Sequence, residues 1–180
     1  MSTVHNMPLG KDGLTESMGE QMFKQVLADS LSSLPNVKGV NNHMGSLLTQ
    51  KDKPMNWLMQ SLKQRQLYFI DSRTSAQSVA WKIAQEYGIP SLKRDTFLDH
   101  KANAKFIDRQ FKQLIATAQR QGYAVAIAHP QPETILYLEK NLSALAAQNI
   151  TLVPASELAA RFSSHQMSPK VASAVTHITK

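Results

Sequence analysis

The chain has 180 residues, 42% apolar and 18% charged, a balance that supports a packed core and excludes global disorder. No apolar run approaches the ~20 residues that cross a bilayer, residues 1–13 hold no signal-peptide block, and the absence of cysteine excludes disulfides, thiolate nucleophiles and cysteine zinc sites. The net charge of +7 invites a nucleic-acid partner, but Lys51, Lys53, Lys63, Arg65, Lys82, Lys105, Arg109, Lys112 and Arg120 are scattered along helix-like segments without interleaved aromatics, so none is expected.

In chain order, residues 1–14 read as a loop. Residues 15–34 carry Met18, Met22, Phe23, Val26, Leu27, Leu31 and Leu34 at helical spacing, with Ser17 and Glu20 in capping-box register and Thr15 as a rival cap. Pro35 stops that helix, and residues 37–41 form a short strand. Asp52 caps a second helix with Pro54 in its first turn, turning Met55, Leu58, Met59 and Leu62 inward. Residues 67–71 are a buried strand ending in the carboxylate of Asp71, followed by a helix over 75–87 that closes at Gly88. Residues 89–92 are extended again.

A helix over 103–121 presents Phe106, Ile107, Phe111, Leu114, Ile115 and Ala118 on one face and ends at Gly122. Residues 123–128 are the clearest central strand, and Pro132 opens a helix bearing Ile135, Leu138, Leu142 and Leu145. A strand over 150–153 and a short helix from Ser156 to Phe162 complete an α/β domain over 15–162, leaving 163–180 as a frayed polar tail. Strands alternating with helices predict a mainly parallel sheet with helical crossovers. Only about five strands are found, whereas closed barrels of this class need about seven or eight. The front of the domain is therefore expected to be missing.

In parallel α/β folds, ligands bind beyond the carboxyl ends of the strands. Four successive loops there each offer an ionisable group. His43 sits in a turn beside Asn41 and Asn42; it is either a metal ligand whose second nitrogen a carboxamide fixes, or a turn histidine bonded to backbone. Asp71 needs a partner if buried. Arg73 or His129 could supply it, as a structural ion pair or as a carboxylate that orients the histidine. Arg94, Asp95 and Asp99 are either substrate contacts or a loop-stiffening salt bridge, and His100 beside them is expected to face solvent. His129, emerging at a strand end before Pro130, is a ligand, a general acid or a structural histidine. Ser46 and Ser72 lack a G-x-S-x-G frame, and no P-loop, dinucleotide fingerprint or H-E-x-x-H motif is present.

The segments Gly39-Val40-Asn41-Asn42-His43-Met44-Gly45-Ser46, Phe69-Ile70-Asp71-Ser72-Arg73-Thr74, Lys93-Arg94-Asp95-Thr96-Phe97-Leu98-Asp99 and Ala126-Ile127-Ala128-His129-Pro130 occur in that order. Together they resemble the divergent polysaccharide deacetylase family, from about Pro8 to Glu157; the first block is the most specific. The resemblance implies a NodB-like deformed (β/α) barrel, incomplete here, and metal-dependent removal of N-acetyl groups from a polysaccharide of the cell envelope after export. It further implies a divalent metal, zinc foremost, with His43 as a ligand. His129 would protonate the leaving amine, Asp71 would be a supporting carboxylate, and Asn41, Asn42, Arg73, Arg94, Asp95 and Asp99 would lie around substrate.

The chain departs from the family pattern at its front. The family's early Asp-Asp strand and its His-x-Pro-Met strand are absent, and Met1 looks like the methionine of the second motif. Two metal-site residues are thus expected upstream of residue 1, along with an export signal; as written, the chain would stay in the cytoplasm and be inactive. The resemblance implies a hydrolase acting on carbon–nitrogen bonds. The alternative is a non-catalytic glycan-binding or scaffolding module that kept the fold and lost the metal.

Overall fold

The computed structural model describes residues 1–163 apart from Asn6 and Lys11, together with the backbone of Ser173–Ile178. The chain forms two compact units, Met1–Lys93 and Arg94–Lys180. Each contains a parallel sheet with flanking helices, so the architecture is mixed α/β. None of the described helices is long and apolar enough to cross a membrane.

In the first unit, α1 (Glu20–Ser32) leads into β1 (Gly39–Asn41), α2 (Asp52–Gln64), β2 (Tyr68–Asp71), α3 (Ala80–Glu86) and β3 (Ser91–Lys93). The sheet order is β1-β2-β3, with Val40 beside Phe69 and Ile70 beside Leu92. The helix α2 behaves as its periodicity predicts: Met55, Leu58, Met59 and Leu62 are all fully buried, and they pack in one cluster with Phe23, Leu27, Phe69 and Ile83. The start of α1 differs from the expected capping box. Thr15 and Ser17 hydrogen-bond each other, 3.0 Å apart, and the helix begins after Gly19 with no side-chain cap. Met22 and Leu34 of the expected apolar face are exposed, whereas Phe23 and Leu27 are buried in the core and Met18, Val26 and Leu31 pack, partly buried, against it.

In the second unit, β4 (Thr96–Phe97), α4 (Ala104–Gln121), β5 (Tyr123–Ala128), α5 (Pro132–Asn141), β6 (Thr151–Leu152), α6 (Ala155–Ser163) and β7 (Ser173–Ile178) follow one another. The sheet order is β4-β5-β7-β6. Two strands here were not expected. β4 spans only two residues, below what periodicity can detect. β7 falls inside the expected polar tail, where the β-branched residues Val175, Thr176 and Ile178 favour extended backbone; its pairing with β5 puts β5 in the interior of the sheet. The remainder of that tail lies outside the described residues.

Asn103 caps α4 by accepting a hydrogen bond from the Phe106 N–H, 2.8 Å, and Gly122 closes it in the left-handed region at φ 86°. A Cβ at Gly122 would meet no atom within 4 Å. Gly122→Ala therefore isolates backbone strain from packing, and it is expected to destabilise the chain by about 1 kcal/mol, read as a lower urea midpoint. α4 and α5 are latched by Tyr137 Oη donating to Asp108 Oδ1 at 2.9 Å. Burial first, then that bond and the Asp108 charge, hold the Tyr137 phenol well above its usual range.

Candidate active-site residues

The loop after β1 turns sharply because Met44 (φ 56°) and Gly45 (φ 90°) are both left-handed. The Gly45 carbonyl then accepts from the Thr49 N–H at 2.9 Å and the Thr49 hydroxyl at 2.8 Å. This turn leaves His43 exposed. The carbonyl of His43 accepts from the Met1 terminal amine at 3.3 Å, and burial lowers the pKa of that amine. His43, Met44, Met1, Leu9 and Gly13 line a cleft of about 430 Å³ within this unit.

Asn41 and Asn42 spend their carboxamides on the neighbouring loop. Asn41 Nδ2 donates to the Ile70 carbonyl, 3.1 Å, and to the Ser72 hydroxyl. Asn42 is buried; its Oδ1 accepts from the Ser72 N–H at 2.8 Å, and its Nδ2 donates to the Met44 carbonyl at 3.1 Å. The Ser72 hydroxyl completes the set by donating to the Asn42 carbonyl at 2.6 Å. The two asparagines therefore brace the loops around His43. Ser72 is the hub, and the sequence carried no signal for it beyond its position after a strand.

Asp71 is fully buried at the end of β2. Its Oδ1 accepts from the Arg73 N–H at 2.8 Å, and its Oδ2 from the Ser78 hydroxyl at 2.8 Å and the Trp81 N–H at 3.4 Å. Arg73, at φ 50°, thus serves Asp71 through its backbone, while its guanidinium donates to the Ala76 carbonyl at 3.1 Å. The carboxylate shapes the turn between β2 and α3. That also explains why α3 begins at Ala80 rather than at the expected 75: the intervening residues are folded around Asp71.

In the second unit, the register Phe97↔Ile127 carries Asp99 alongside His129, each two residues further on. Asp99 is buried, with a fully covered side chain, and His129 is half-buried. Asp99 Oδ1 lies 3.1 Å from His129 Nδ1, and Oδ2 accepts from the His129 N–H at 2.6 Å and the Thr134 hydroxyl at 3.0 Å. The Phe97 ring stands 5.4 Å from the imidazole. Asp99 thus partners His129 from behind. Chemically, a carboxylate on Nδ1 fixes the ring's orientation and supports its protonated form.

Asp95 is a correction. It lies at the opposite, amino end of β5, where Oδ2 accepts from the Val125 N–H at 2.8 Å and Oδ1 from Gln121 at 3.2 Å. Asp95 directly precedes the two-residue strand β4 and so stands at the entrance of that strand, not at the carboxyl edge where Asp99 follows it. Arg94 rests its guanidinium over the Phe97 ring at 5.4 Å. His100 is exposed as expected, with ring contacts to Phe97 and Phe106.

The sequence profile of a family described as divergent polysaccharide deacetylase matches residues 1–159. The chain is 36% identical over 158 residues to YibQ, an uncharacterized protein of Escherichia coli, covering 88% of this chain and 49% of that protein. It is 45% identical over 153 residues to an uncharacterized protein of Haemophilus influenzae, covering 85% and 54% respectively. The chain thus spans about half the length of these curated relatives. A crystal structure of an uncharacterized protein from Agrobacterium tumefaciens is similar with a TM-score of 0.80 at 27% identity, over 83% of this chain and 61% of that one. With the profile matched over nearly the whole described chain, this protein belongs to the divergent polysaccharide deacetylase family.

Proposed function

We propose that the chain is part of an amide hydrolase with a NodB-like barrel, which removes acetyl groups from an amino-sugar polymer of the cell envelope. The observation that carries the reading is the Asp99–His129 pair. An amide nitrogen leaves as an amine only when it is protonated, and imidazole titrates in the range where it can deliver that proton. The Asp99 carboxylate on Nδ1 supports the imidazolium and directs Nε2 as the donor.

The reading gives His43 the role of a metal ligand. A zinc ion in such an enzyme activates water and holds the oxyanion, and it ordinarily takes three protein ligands. Among the described residues there is no group of three His, Asp or Glu that could hold it. The described residues by themselves therefore do not fit the ion. The second reading is a non-catalytic glycan-binding module with the same fold.

The test is acetate release from N-acetylglucosamine oligomers by the longest polypeptide the gene encodes, with its zinc measured by metal analysis. Acetate release with about one zinc per chain is expected, and His43→Ala is expected to lose the zinc, because water alone does not replace a protein ligand. Equal zinc in both proteins would remove His43 from the ligand set. Oligomer binding without acetate release would establish the non-catalytic module instead.

A further inference from the structure

We propose that Thr134 is a positioning residue: its hydroxyl locks the Asp99 carboxylate so that neutral His129 keeps its proton on Nδ1, the form in which the ring is left once the imidazolium has given its Nε2 proton to the leaving amine. Thr134 is fully buried in the first turn of α5, two residues after Pro132 opens the helix. Its hydroxyl donates to Asp99 Oδ2 at 3.0 Å, the oxygen that also accepts from the His129 N–H at 2.6 Å. Those two donors occupy Oδ2 and leave Oδ1 aimed at His129 Nδ1, 3.1 Å away.

A carboxylate's terminal torsion is broad and twofold, so nothing intrinsic to Asp99 holds Oδ1 in that direction. The orientation comes from what binds Oδ2. The His129 N–H constrains one side of that oxygen. Thr134 supplies the second point, from a different element, and two points define the carboxylate plane where one does not. Threonine suits the task because branching at Cβ stiffens the torsion that aims its hydroxyl. A neutral imidazole divides its proton between two nitrogens according to which faces the better acceptor. A fixed Oδ1 favours the proton on Nδ1.

This inference deepens the reading of His129 as a proton donor and rests on that reading only for its catalytic meaning. The tautomer itself exists without substrate or turnover. The ¹⁵N shifts of imidazole separate protonated from unprotonated ring nitrogens, so they can be read on the chain labelled at histidine. The His129 signals are assigned by their loss in His129→Ala, and measured at a pH where the ring is neutral.

The Nδ1–H form is expected to dominate in the parent chain and in Thr134→Ser, which keeps the hydroxyl. In Thr134→Val, which replaces only the hydroxyl, the ratio of Nδ1–H to Nε2–H is expected to fall by about three- to tenfold, the worth of one hydrogen bond. Backbone amide spectra establish that each variant is folded. An unchanged ratio in folded Thr134→Val, or a dominant Nε2–H form in the parent chain, would overturn the proposal. Thr134→Ala removes the same hydroxyl by a different route and must agree with valine. Should neither variant fold, the hydroxyl is an element of the fold rather than a positioning group, and the proposal falls. A shifted tautomer with no acetate release in any form of the protein would leave Thr134 in place and remove only its catalytic meaning.

Discussion

Replacing His129 with alanine is expected to lower the rate of acetate release by about 10²–10⁴-fold, the span associated with loss of a general acid. Bound zinc and the oligomer concentration at half-maximal rate should stay as they were. The expectation rests on the division of labour at the ring. Nδ1 is turned toward a carboxylate with no exposed side-chain surface, so Nε2 is the nitrogen through which the ring would protonate a departing amine. Removing the ring deletes the proton donor and leaves the β4–β5 register untouched, since that register is built from backbone bonds such as Leu98 N–H to the Ile127 carbonyl at 3.0 Å. The loss should therefore fall on turnover. Parallel assays of acetate and zinc decide between roles: loss of zinc together with activity would make His129 a ligand, and full activity would take it out of the reaction.

The elements that could be read from sequence are those whose cause is local. The Met55, Leu58, Met59 and Leu62 stripe of α2 is set by the helical period, and β5 is legible as an apolar run bounded by Gly122 and Pro130. What escaped depends on partners distant in the chain. The two residues of β4 are a strand only because Thr96 and Phe97 pair with Ala126 and Ile127. Missing that pairing put Asp95 on the wrong edge and hid the meeting of Asp99 with His129. Their importance could be sensed separately from their loop positions, but their contact follows from a register between strands thirty residues apart, which neither loop encodes. Asp71 is ambiguous in sequence for a different reason. A carboxylate closing an apolar strand looks the same in sequence whether it faces a substrate or folds a turn, and only its three donors distinguish the two.

Asp71→Ala is accordingly expected to act on stability. The side chain is completely buried, and its two oxygens accept from the Arg73 N–H, the Ser78 hydroxyl and the Trp81 N–H. Alanine leaves those donors facing a space with no acceptor of its own. The cost of a buried group losing its partner is about 1–3 kcal/mol. Ser78 can rotate its hydroxyl toward another acceptor, but the two backbone N–H groups are fixed by the left-handed Arg73 and by the first turn of α3. A loss of about 3 kcal/mol follows, or roughly 6–12 °C in the melting midpoint for a chain of this size. Asp71→Asn should lose less, because one amide oxygen still accepts while the amide NH₂ opposes the donors on the other side. Thermal melting of the three proteins by circular dichroism gives the order parent, asparagine, alanine. Acetate release per folded molecule, measured well below each midpoint, should change by less than about tenfold, against the 10²–10⁴-fold expected when a group in the proton-transfer step is removed. A variant that melts with the parent yet loses turnover on that larger scale would return Asp71 to the reaction and overturn its assignment to the turn between β2 and α3.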